Sequence, residues 1–517
     1  MSERAKDTIN SKVQEGGSQD RASIAHGVIV DDVDDAVLRA NGHKSDLDRQ
    51  FNWLSGLSLG FSITNSWVGY LSCFGQSLIY GGPQVCIFGL IVAFVVQFMI
   101  TTGLSEIASA FPSSGGQYHF CYILSPEKSK RFTAYVVGWM SVLAWWIVSC
   151  SGISLAAVTL SGMINFLEPS FVAKDWQIYL LYAAVALITV IPVFVASKRL
   201  SIIVQASLFL SVIGMFLHLF VTTGMHGHTN PGSFIVQPNL GTSGWNTGTA
   251  WVLGISNCMY AFGGTDGAIH ISEEIAQPGR RIPQVMIMTM IVGMATCLPL
   301  FIALMFFVTD LEAVINSPLP SMELIYQATG NRNVTIFLIS WLLVVYVLAL
   351  PSQWVTCGRM AWAFARDNGI PWSEYFVKID ERLGFPVRTT VAALVFILLY
   401  GLLYFASNTA FNSIVTSAVL FLNITYLNLG WFGYTCNIFS VLWTIVLTVI
   451  VCMPPSLPVT TASMNYISVI VVGLFGITIG LWFINGRKNF EGPHINWDLL
   501  KEANIQTLHG KEKDYHV

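Results

Sequence analysis

The sequence predicts an all-α polytopic membrane protein, and three observations lead to this fold class. The 517 residues are 54% hydrophobic and only 11% charged, with a mean hydropathy of +0.61. A soluble globular chain carries about 25% charged residues, so this composition cannot cover a soluble surface. The apolar residues come in blocks of about 20, the length that crosses a bilayer, without the alternation of barrel strands. Since lipid admits only helices or closed barrels, the spans are helices.

Twelve apolar segments are candidate transmembrane helices. They lie at about 53–78, 84–108, 132–165, 176–195, 201–222, 246–272, 285–308, 334–357, 390–406, 409–426, 430–453 and 464–484. They predict a transmembrane domain of residues 51–485 between an N-terminal tail, 1–50, and a C-terminal tail, 486–517. The N-terminal tail lacks the apolar core of a cleavable signal peptide, and neither tail shows more than the composition of a solvated segment.

The distribution of Lys and Arg predicts the orientation. If the N-terminus is cytosolic, all of the 26 Lys and Arg residues except Lys174 and Arg332 fall on the cytosolic side. Cytosolic segments of membrane proteins carry such an excess of basic residues. We therefore expect both tails in the cytosol.

Several function classes lack any support in the sequence. The net charge of −3 gives no indication of a nucleic-acid partner, and the nine cysteines show no paired spacing for a disulfide framework or a metal site. The chain contains no phosphate-binding loop, HExxH or GxSxG motif, so we expect no enzyme, no cofactor and no ATP-driven pump.

Two of the spans contain residues that interrupt a helix. The first is "LGFSITNSWVGY", with Gly60, Ser62, Thr64, Asn65 and Ser66, and the second is "YAFGGTDGAIHISEE", with Gly263, Gly264, Thr265, Asp266 and Gly267. Glycine costs ~1 kcal/mol relative to alanine in a helix, and an aspartate at mid-membrane costs at least ~2.5–3.5 kcal/mol. A sequence accepts such residues where non-helical backbone lines a cavity.

The position of the two breaks predicts the architecture. They fall in the first and sixth spans, the separation typical of an inverted five-helix repeat with a binding site between its halves. The repeats would cover about 51–222 and 246–426, followed by helices eleven and twelve at about 430–484.

Simpler roles compete with substrate binding for these residues. The glycines would serve close helix packing, Asp266 would cap the second half-helix, and His270 would be a packing residue. Glu273 and Glu274 lie nearer the cytosolic end. We expect a gating role for them, solvated or paired with Arg280 or Arg281.

Several motifs together resemble the amino acid–polyamine–organocation (APC) transporter superfamily. The segments "ISEEIAQPGRRIPQVM" (271–286) and "GLSEIASAFPSSGGQY" (103–118) are similar to its sixth-helix loop and second-helix exit. The segments "WAFARDNGIP" (362–371), "GFSITNSW", "SNTAFNSI" and "MPPSLPVTTASMNY" (453–466) resemble its fungal amino acid/choline branch. The resemblance covers about residues 50–490 and is strongest to choline permeases, with GABA and other amino acid permeases next.

The resemblance implies a LeuT-like fold of twelve helices in five-plus-five inverted repeats. It also implies a plasma-membrane importer driven by an ion gradient, usually protons. The substrate-facing positions carried over are Thr64, Asn65 and Ser66 in the first helix and Phe262, Gly263, Gly264, Thr265 and Asp266 in the sixth. Glu106 matches the acidic residue of the second helix, with a structural or gating role.

The chain departs from the family pattern after Tyr426. The turn around "YLNLGWFGY" lacks the basic cytosolic loop that relatives carry, and the tenth span is left with about 18 residues. This shortening would follow from a deletion or from a skipped exon.

Two substrate classes fit the same residues. A choline-like cation would be held by aromatic faces, each contributing ~0.5–2 kcal/mol, with Asp266 as counter-charge. The aromatic candidates are Trp67, Tyr260 and Phe262 near the breaks, and Trp145, Trp146 and Tyr346 on the third and eighth helices. GABA or another amino acid would instead place its carboxylate on half-helix N-termini and its amine near Asp266.

Proton coupling needs a titratable group that changes partner. The candidates are Asp266, His270, Glu106 and Glu273, with Asp266 favoured because it lies nearest the predicted midplane. A nutrient sensor that binds its ligand without accumulating it is the alternative from another class. The expected partners are therefore a small-molecule substrate, protons and the lipid bilayer.

Overall fold

Helices account for almost all of the regular structure. The computed structural model describes residues 34–43, 46–405, 431–460, 464–496 and 498–499, with the backbone alone for 431–437. Within these residues, β pairing is limited to two isolated bridges, one of which joins Phe51 to Ile275. The predicted all-α fold class is confirmed.

The longer helices follow one another with short connections. They are α1 (Trp53–Thr64), α2 (Ser66–Gln84), α3 (Leu90–Ala110), α4 (Gln117–Leu124), α5 (Lys130–Leu167), α6 (Asp175–Val195), α7 (Leu200–Met225), α8 (Thr247–Cys258), α9 (Pro278–Phe307), α10 (Pro320–Thr329), α11 (Arg332–Arg366), α12 (Val387–Gly401), α13 (Trp431–Ile450) and α14 (Ile467–Leu481). Two 3-10 segments, Met259–Phe262 and Thr265–Ile271, continue α8. Shorter helical turns connect the remaining elements.

Eight stretches of the described residues are long and apolar enough to cross a bilayer. One of them, Trp53–Ala110, holds the first two predicted spans, which are separated by a kink at Gly81 and Gly82 inside α2. The sixth predicted span is divided between α8 and the 3-10 segments, so it does not form one long helix. The tenth predicted span and the short turn after Tyr426 lie outside the described residues.

The outer helices expose apolar side chains. Ile202 and Phe220 of α7 are each 65% exposed, and Val472 of α14 is 72% exposed. In water this surface would be unfavourable, but it suits contact with lipid. Helix α1 lies at the centre, packed on α7, α9 and the segment Thr265–Ile271.

The first break is a single residue between α1 and α2. Asn65 adopts the left-handed conformation, with φ 32° and ψ 57°, which asparagine tolerates better than other non-glycine residues. Gly60 and Ser62, which we expected to interrupt the helix, lie within α1. A Cβ on Gly60 would lie 2.9 Å from Thr289 Oγ1, so Gly60 allows α1 to pack closely on α9.

The second break lies at Gly263 and Gly264. Gly263 is extended, and Gly264 is left-handed with φ 83°, a conformation that favours glycine. The chain then continues as the 3-10 segment Thr265–Ile271, which carries Asp266 and His270. Both predicted breaks are therefore present, and the second is the wider of the two.

The residues before α1 pack on one end of the bundle. We call this the basic end; it carries residues 128–131, 198–199, 280–281 and 359–388. The Phe51 N–H donates to the Glu274 carbonyl at 2.9 Å, and Asp34 Oδ2 accepts from the Gln277 N–H at 2.8 Å. The expectation of a solvated tail is therefore wrong for the described residues among 34–51.

Candidate functional site

A cavity of about 60 Å³ lies between the two helix breaks. Its lining comprises Ser62, Ile63, Thr64, Asn65, Val68, Gly69, Val148, Ser151, Gly152, Leu155, Tyr260, Gly263, Gly264, Tyr346, Ala349, Leu350 and Gln353. This set includes five of the predicted substrate positions, and none of its members is a basic or acidic residue. Because the volume accommodates only about four water molecules, the surrounding helices must move apart for a solute to enter or leave.

Opposite helix ends meet at the first break. Thr64 ends α1 and Ser66 begins α2, so the partly negative C-terminus of one helix lies beside the partly positive N-terminus of the other. Asn65 is fixed between them, because its Oδ1 accepts a hydrogen bond from Ser211 Oγ at 2.6 Å. Both an ammonium and a carboxylate therefore find a complementary backbone end at this wall.

Two tyrosines supply the aromatic surface of the cavity. The Tyr260 hydroxyl is hydrogen-bonded to Ser151 Oγ at 2.6 Å, and the Tyr346 hydroxyl donates to the Val68 carbonyl at 3.3 Å and also contacts Ser72. Since the hydroxyls are bound to neighbouring helices, the rings are the part available to a ligand. Tyrosine faces attract cations through the ring quadrupole.

Three predicted substrate positions are directed at neighbouring helices. Phe262 packs against Phe94 of α3 with ring centroids 5.5 Å apart, and Thr265 Oγ1 lies 3.0 Å from Thr101 Oγ1 of the same helix. Ser66 is buried, and its Oγ lies 2.3 Å from the place a Cβ would take on Gly293 of α9. Their assignment as substrate contacts stays a prediction.

Asp266 lies one layer away from the cavity. It is fully buried, and its Oδ2 accepts hydrogen bonds from Gln117 Nε2 at 2.5 Å and from Trp145 Nε1 at 3.1 Å. The Trp145 ring lies between this carboxylate and the cavity wall, because its Cη2 is 3.5 Å from the place a Cβ would take on Gly264. A ligand in the cavity would therefore interact with Asp266 across the indole.

His270 lies beside Asp266 on the same 3-10 segment. Its Nδ1 is 2.9 Å from the Ser114 carbonyl oxygen, and its Nε2 is 3.6 Å from Asp266 Oδ2. Its ring also contacts Trp145 edge to face, at a centroid distance of 5.8 Å. The two coupling candidates thus form one buried pair.

Two buried ion pairs close the basic end. Both carboxylate oxygens of Glu273 accept hydrogen bonds from Arg366, at 2.8 and 2.9 Å. Glu274 accepts from Arg359 in the same bidentate geometry. The arginines both come from α11, so the glutamates do not depend on Arg280 or Arg281 as we had expected. These bidentate contacts are the strong form of an Arg–carboxylate pair.

The remaining coupling candidate lies apart from this layer. Glu106 is exposed near the end of α3. Asp367, which follows α11, is instead buried, and it accepts a hydrogen bond from the Tyr118 hydroxyl at 2.8 Å. Burial raises the pKa of Asp367 to about 6, although Arg366 and the Tyr118 hydroxyl act in the opposite direction.

Two polar residues of the cavity, Ser151 and Gln353, escaped the sequence analysis. Gln353 of α11 lines the cavity opposite Gly152 of α5, and a Cβ on Gly152 would lie 2.6 Å from Gln353 Oε1. The signal was present in the sequence, because Gln353 is an uncharged polar residue within an apolar span, a type of residue that marks functional positions in membranes. Tyr346, weighed for its aromatic face alone, lies on the same helix.

Comparisons with known proteins agree with this architecture. A family model described as amino acid permease matches residues 54–475. A choline transporter of Saccharomyces cerevisiae is 32% identical over 483 residues, which cover 89% of this chain and 86% of the relative. A swainsonine transporter of Arthroderma benhamiae is 27% identical over 469 residues, covering 86% of this chain and 92% of the relative.

A solved structure shares the fold at low sequence identity. A mutant of the manganese transporter of Eremococcus coleocola aligns with a TM-score of 0.50 and 14% identity, covering 84% of this chain and 95% of its own. The resemblance to the APC superfamily is thereby confirmed, and the matched relatives are transporters and not enzymes. This chain belongs to the amino acid permease family of integral membrane transporters.

Proposed function

We propose that this protein is a secondary active transporter that imports choline or a related organocation, driven by the proton gradient. The observation that carries the proposal is the chemistry of the cavity between the two breaks. Tyrosine faces and the C-terminal end of α1 attract a cation, and no Lys or Arg belongs to the described lining. The similarity to a yeast choline transporter supports the same substrate.

A quaternary ammonium head suits this wall for a specific reason. It cannot donate strong hydrogen bonds, so it needs aromatic and carbonyl surface in place of dedicated acceptors. The hydroxyls of Tyr260 and Tyr346 are already bound to Ser151 and Val68, which leaves their rings for the ligand. As long as its neighbour His270 is neutral, Asp266 also contributes negative charge from behind Trp145, where burial limits its screening.

An amino acid such as GABA is the alternative substrate. Helix α2 begins at the cavity wall with Ser66, and the N–H groups of a helix N-terminus form a binding site for a carboxylate. The amine would then lie at the Tyr260 side. The same cavity therefore supports both classes, and the aromatic faces favour the cation.

The orientation in the membrane is part of the proposal. We assign the basic end to the cytosol of a plasma-membrane protein, with both tails on that side. The ion pairs of Glu273 and Glu274 would then form the cytosolic gate, and they would separate when the substrate is released inward.

Uptake of labelled choline and labelled GABA tests the proposal in cells that lack choline and amino acid permeases. We expect choline to accumulate, and a protonophore or the substitution Asp266→Asn to abolish the accumulation. At zero membrane potential, a gradient of one pH unit supports about tenfold accumulation at one proton per substrate. Gly227→Val serves as a control, because Gly227 is exposed and nothing approaches its Cβ position.

The alternatives give different results in this assay. Accumulation of GABA without choline would assign the cavity to amino acids. Saturable binding without accumulation of either compound would indicate a sensor. Flux that equilibrates choline without concentrating it, and that ignores the protonophore, would contradict proton coupling.

A further inference from the structure

We propose that Asp266 and His270 bind the driving proton between them, at the gap that separates His270 Nε2 from Asp266 Oδ2. This inference rests on the proposed function and selects one pair from the four coupling candidates. It also names the atom that takes up the proton, which is His270 Nε2.

The hydrogen bond on the far side of the imidazole fixes its tautomer. His270 Nδ1 lies 2.9 Å from the Ser114 carbonyl, which can only accept, so Nδ1 carries the hydrogen. In the neutral ring Nε2 is then an acceptor, and it has no hydrogen-bond partner among the described residues. It faces Asp266 Oδ2 at 3.6 Å, so two acceptors oppose each other in a fully buried place.

One added proton removes the unfavourable contact between these two acceptors. With a hydrogen on Nε2 the ring becomes an imidazolium, which donates to Asp266 Oδ2 and balances the carboxylate charge. Asp266 needs no rearrangement, because Gln117 Nε2 and Trp145 Nε1 already fix the same oxygen. A buried ion pair whose two groups hydrogen-bond to each other is far less costly than a buried carboxylate that faces the lone pair of an imidazole nitrogen.

The other ionisable groups around this segment are paired, neutral or exposed. The helices that pack on Thr265–Ile271 are α1, α3, α9 and α11. The 111–116 loop, α4 and α5 also contact this segment, through hydrogen bonds and ring contacts. Helix α1 carries no titratable residue. The ionisable side chains of the other elements at this end of the bundle are Glu106, Tyr118, His119, Cys121, Tyr122, Lys130, Arg131, Tyr135, Arg280, Arg281, Cys357, Arg359 and Arg366, with Glu273 and Glu274 shortly after the segment and Asp367, hydrogen-bonded to Tyr118, directly after α11.

The charges nearest to the pair compensate each other. Arg359 and Arg366 are neutralised by Glu274 and Glu273. His119 is kept neutral, because burial and then the charge of Arg366 lower its pKa to about 3. The Asp266–His270 pair is therefore the buried acid–imidazole contact of this layer, within the part of the chain that the structure describes.

The same residues connect the proton to both the cavity and the gate. The Ser114 carbonyl binds His270, while the Ser114 N–H donates to Glu273 Oε1 at 3.3 Å, beside Arg366. On the other side, Trp145 joins Asp266 to the cavity wall at Gly264. The proton site thus lies between the cavity wall and the 111–117 segment, which also braces the proposed cytosolic gate.

Solid-state NMR of the full-length protein, labelled with ¹⁵N-histidine and reconstituted in liposomes, tests the site without any substrate. The chain has ten histidines, and the signal that disappears in His270→Gln identifies His270. We expect this signal to change from the neutral form with a hydrogen on Nδ1 to the doubly protonated form as the pH falls from 8 to 5. Asp266→Asn removes the carboxylate to which the imidazolium would donate, so in this variant the doubly protonated signal should be lost or reduced at the same pH.

The chain offers a matched control for the transport experiment. His218 of α7 is equally buried, its Nδ1 lies 2.7 Å from the Gly214 carbonyl, and its Nε2 is also without a described partner. Its ring packs on Trp67 instead of a carboxylate. In liposomes, an inward proton gradient should drive choline accumulation in His218→Gln as it does in wild type. In His270→Gln, choline uptake should be the same with and without the gradient, so the ratio of the two should fall to about one.

The two arms separate the proton site from the substrate. A His270 that stays neutral across the range, or that titrates identically in Asp266→Asn, would overturn the proton site even if choline is transported. Gradient-driven uptake that persists in His270→Gln would overturn it as well. If wild type accumulates no choline while His270 titrates as described, the substrate assignment fails and the proton site stands.

Discussion

Single residues in the cavity wall determine which ligands the cavity can bind. Gly263 and Gly152 leave the space, Tyr260 and Tyr346 supply aromatic faces, and Gln353 adds one polar side chain. A Cβ on Gly263 would meet only carbonyl oxygens at 3.9 Å, whereas one on Gly152 would press Gln353 into the cavity. The wall therefore combines apolar surface with few polar groups, as small-molecule sites usually do.

The aromatic face of Tyr260 gives the first prediction. Replacing Tyr260 with leucine removes the ring beside the cation, and the KM for choline should rise about 2- to 30-fold, the equivalent of ~0.5–2 kcal/mol. Tyr260→Phe keeps the ring and loses only the hydrogen bond to Ser151, so its KM should stay close to that of wild type. Equal losses in both variants would show that the hydroxyl, and not the ring, matters.

At the scale of elements, the sequence predicted both helix breaks but not their extent. Glycine and aspartate inside apolar spans are costly, so their presence indicated interruption at Gly263, Gly264 and Asp266. The same argument failed for Gly60, because a glycine needed for contact with another helix looks identical in the sequence to one that breaks a helix. Only the neighbouring Thr289, distant in the chain, distinguishes the two.

Contacts between distant elements were the part that sequence could not supply. Glu273 and Glu274 were expected to pair with the adjacent Arg280 or Arg281, but the partners come from α11, about 85 to 93 positions away. Likewise the position of Asp266 behind Trp145 depends on how α5 packs against the 3-10 segment. Local patterns carry no information about such pairings.

The ion pairs between α11 and the turn after the 3-10 segment give the next prediction. Glu273→Gln leaves the nearly buried Arg366 guanidinium without its carboxylate, and the loss of one partner from a buried pair costs about 3–5 kcal/mol. The thermal midpoint of the purified protein should therefore fall. Glu323→Gln, on α10 with a part-buried contact to Gln327, is the control and should change the midpoint little. Equal midpoints for wild type and Glu273→Gln would contradict a structural ion pair.

At the scale of the whole molecule, several layers of paired side chains separate the cavity from the basic end. The Asp266–His270 pair, the two Arg–Glu pairs and the segment before α1 follow one another from the cavity outward. Gln50 Nε2 donates to Glu274 Oε2 at 2.6 Å, so the tail segment joins the outermost of these layers. If the substrate leaves toward this end, as proposed, all of these layers must separate, and a proton bound within them would then control release.

Binding of labelled choline to the purified protein and to Gly263→Val tests the central claim most directly. Gly263 has a φ that valine adopts readily, and its Cβ would make only ordinary van der Waals contact with two carbonyl oxygens at 3.9 Å, so we expect the substitution to fill the cavity without disturbing the fold. We predict saturable binding to wild type and to the surface control Gly227→Val, and its loss in Gly263→Val at an unchanged thermal midpoint. Choline that binds Gly263→Val as tightly as wild type would show that its site lies elsewhere.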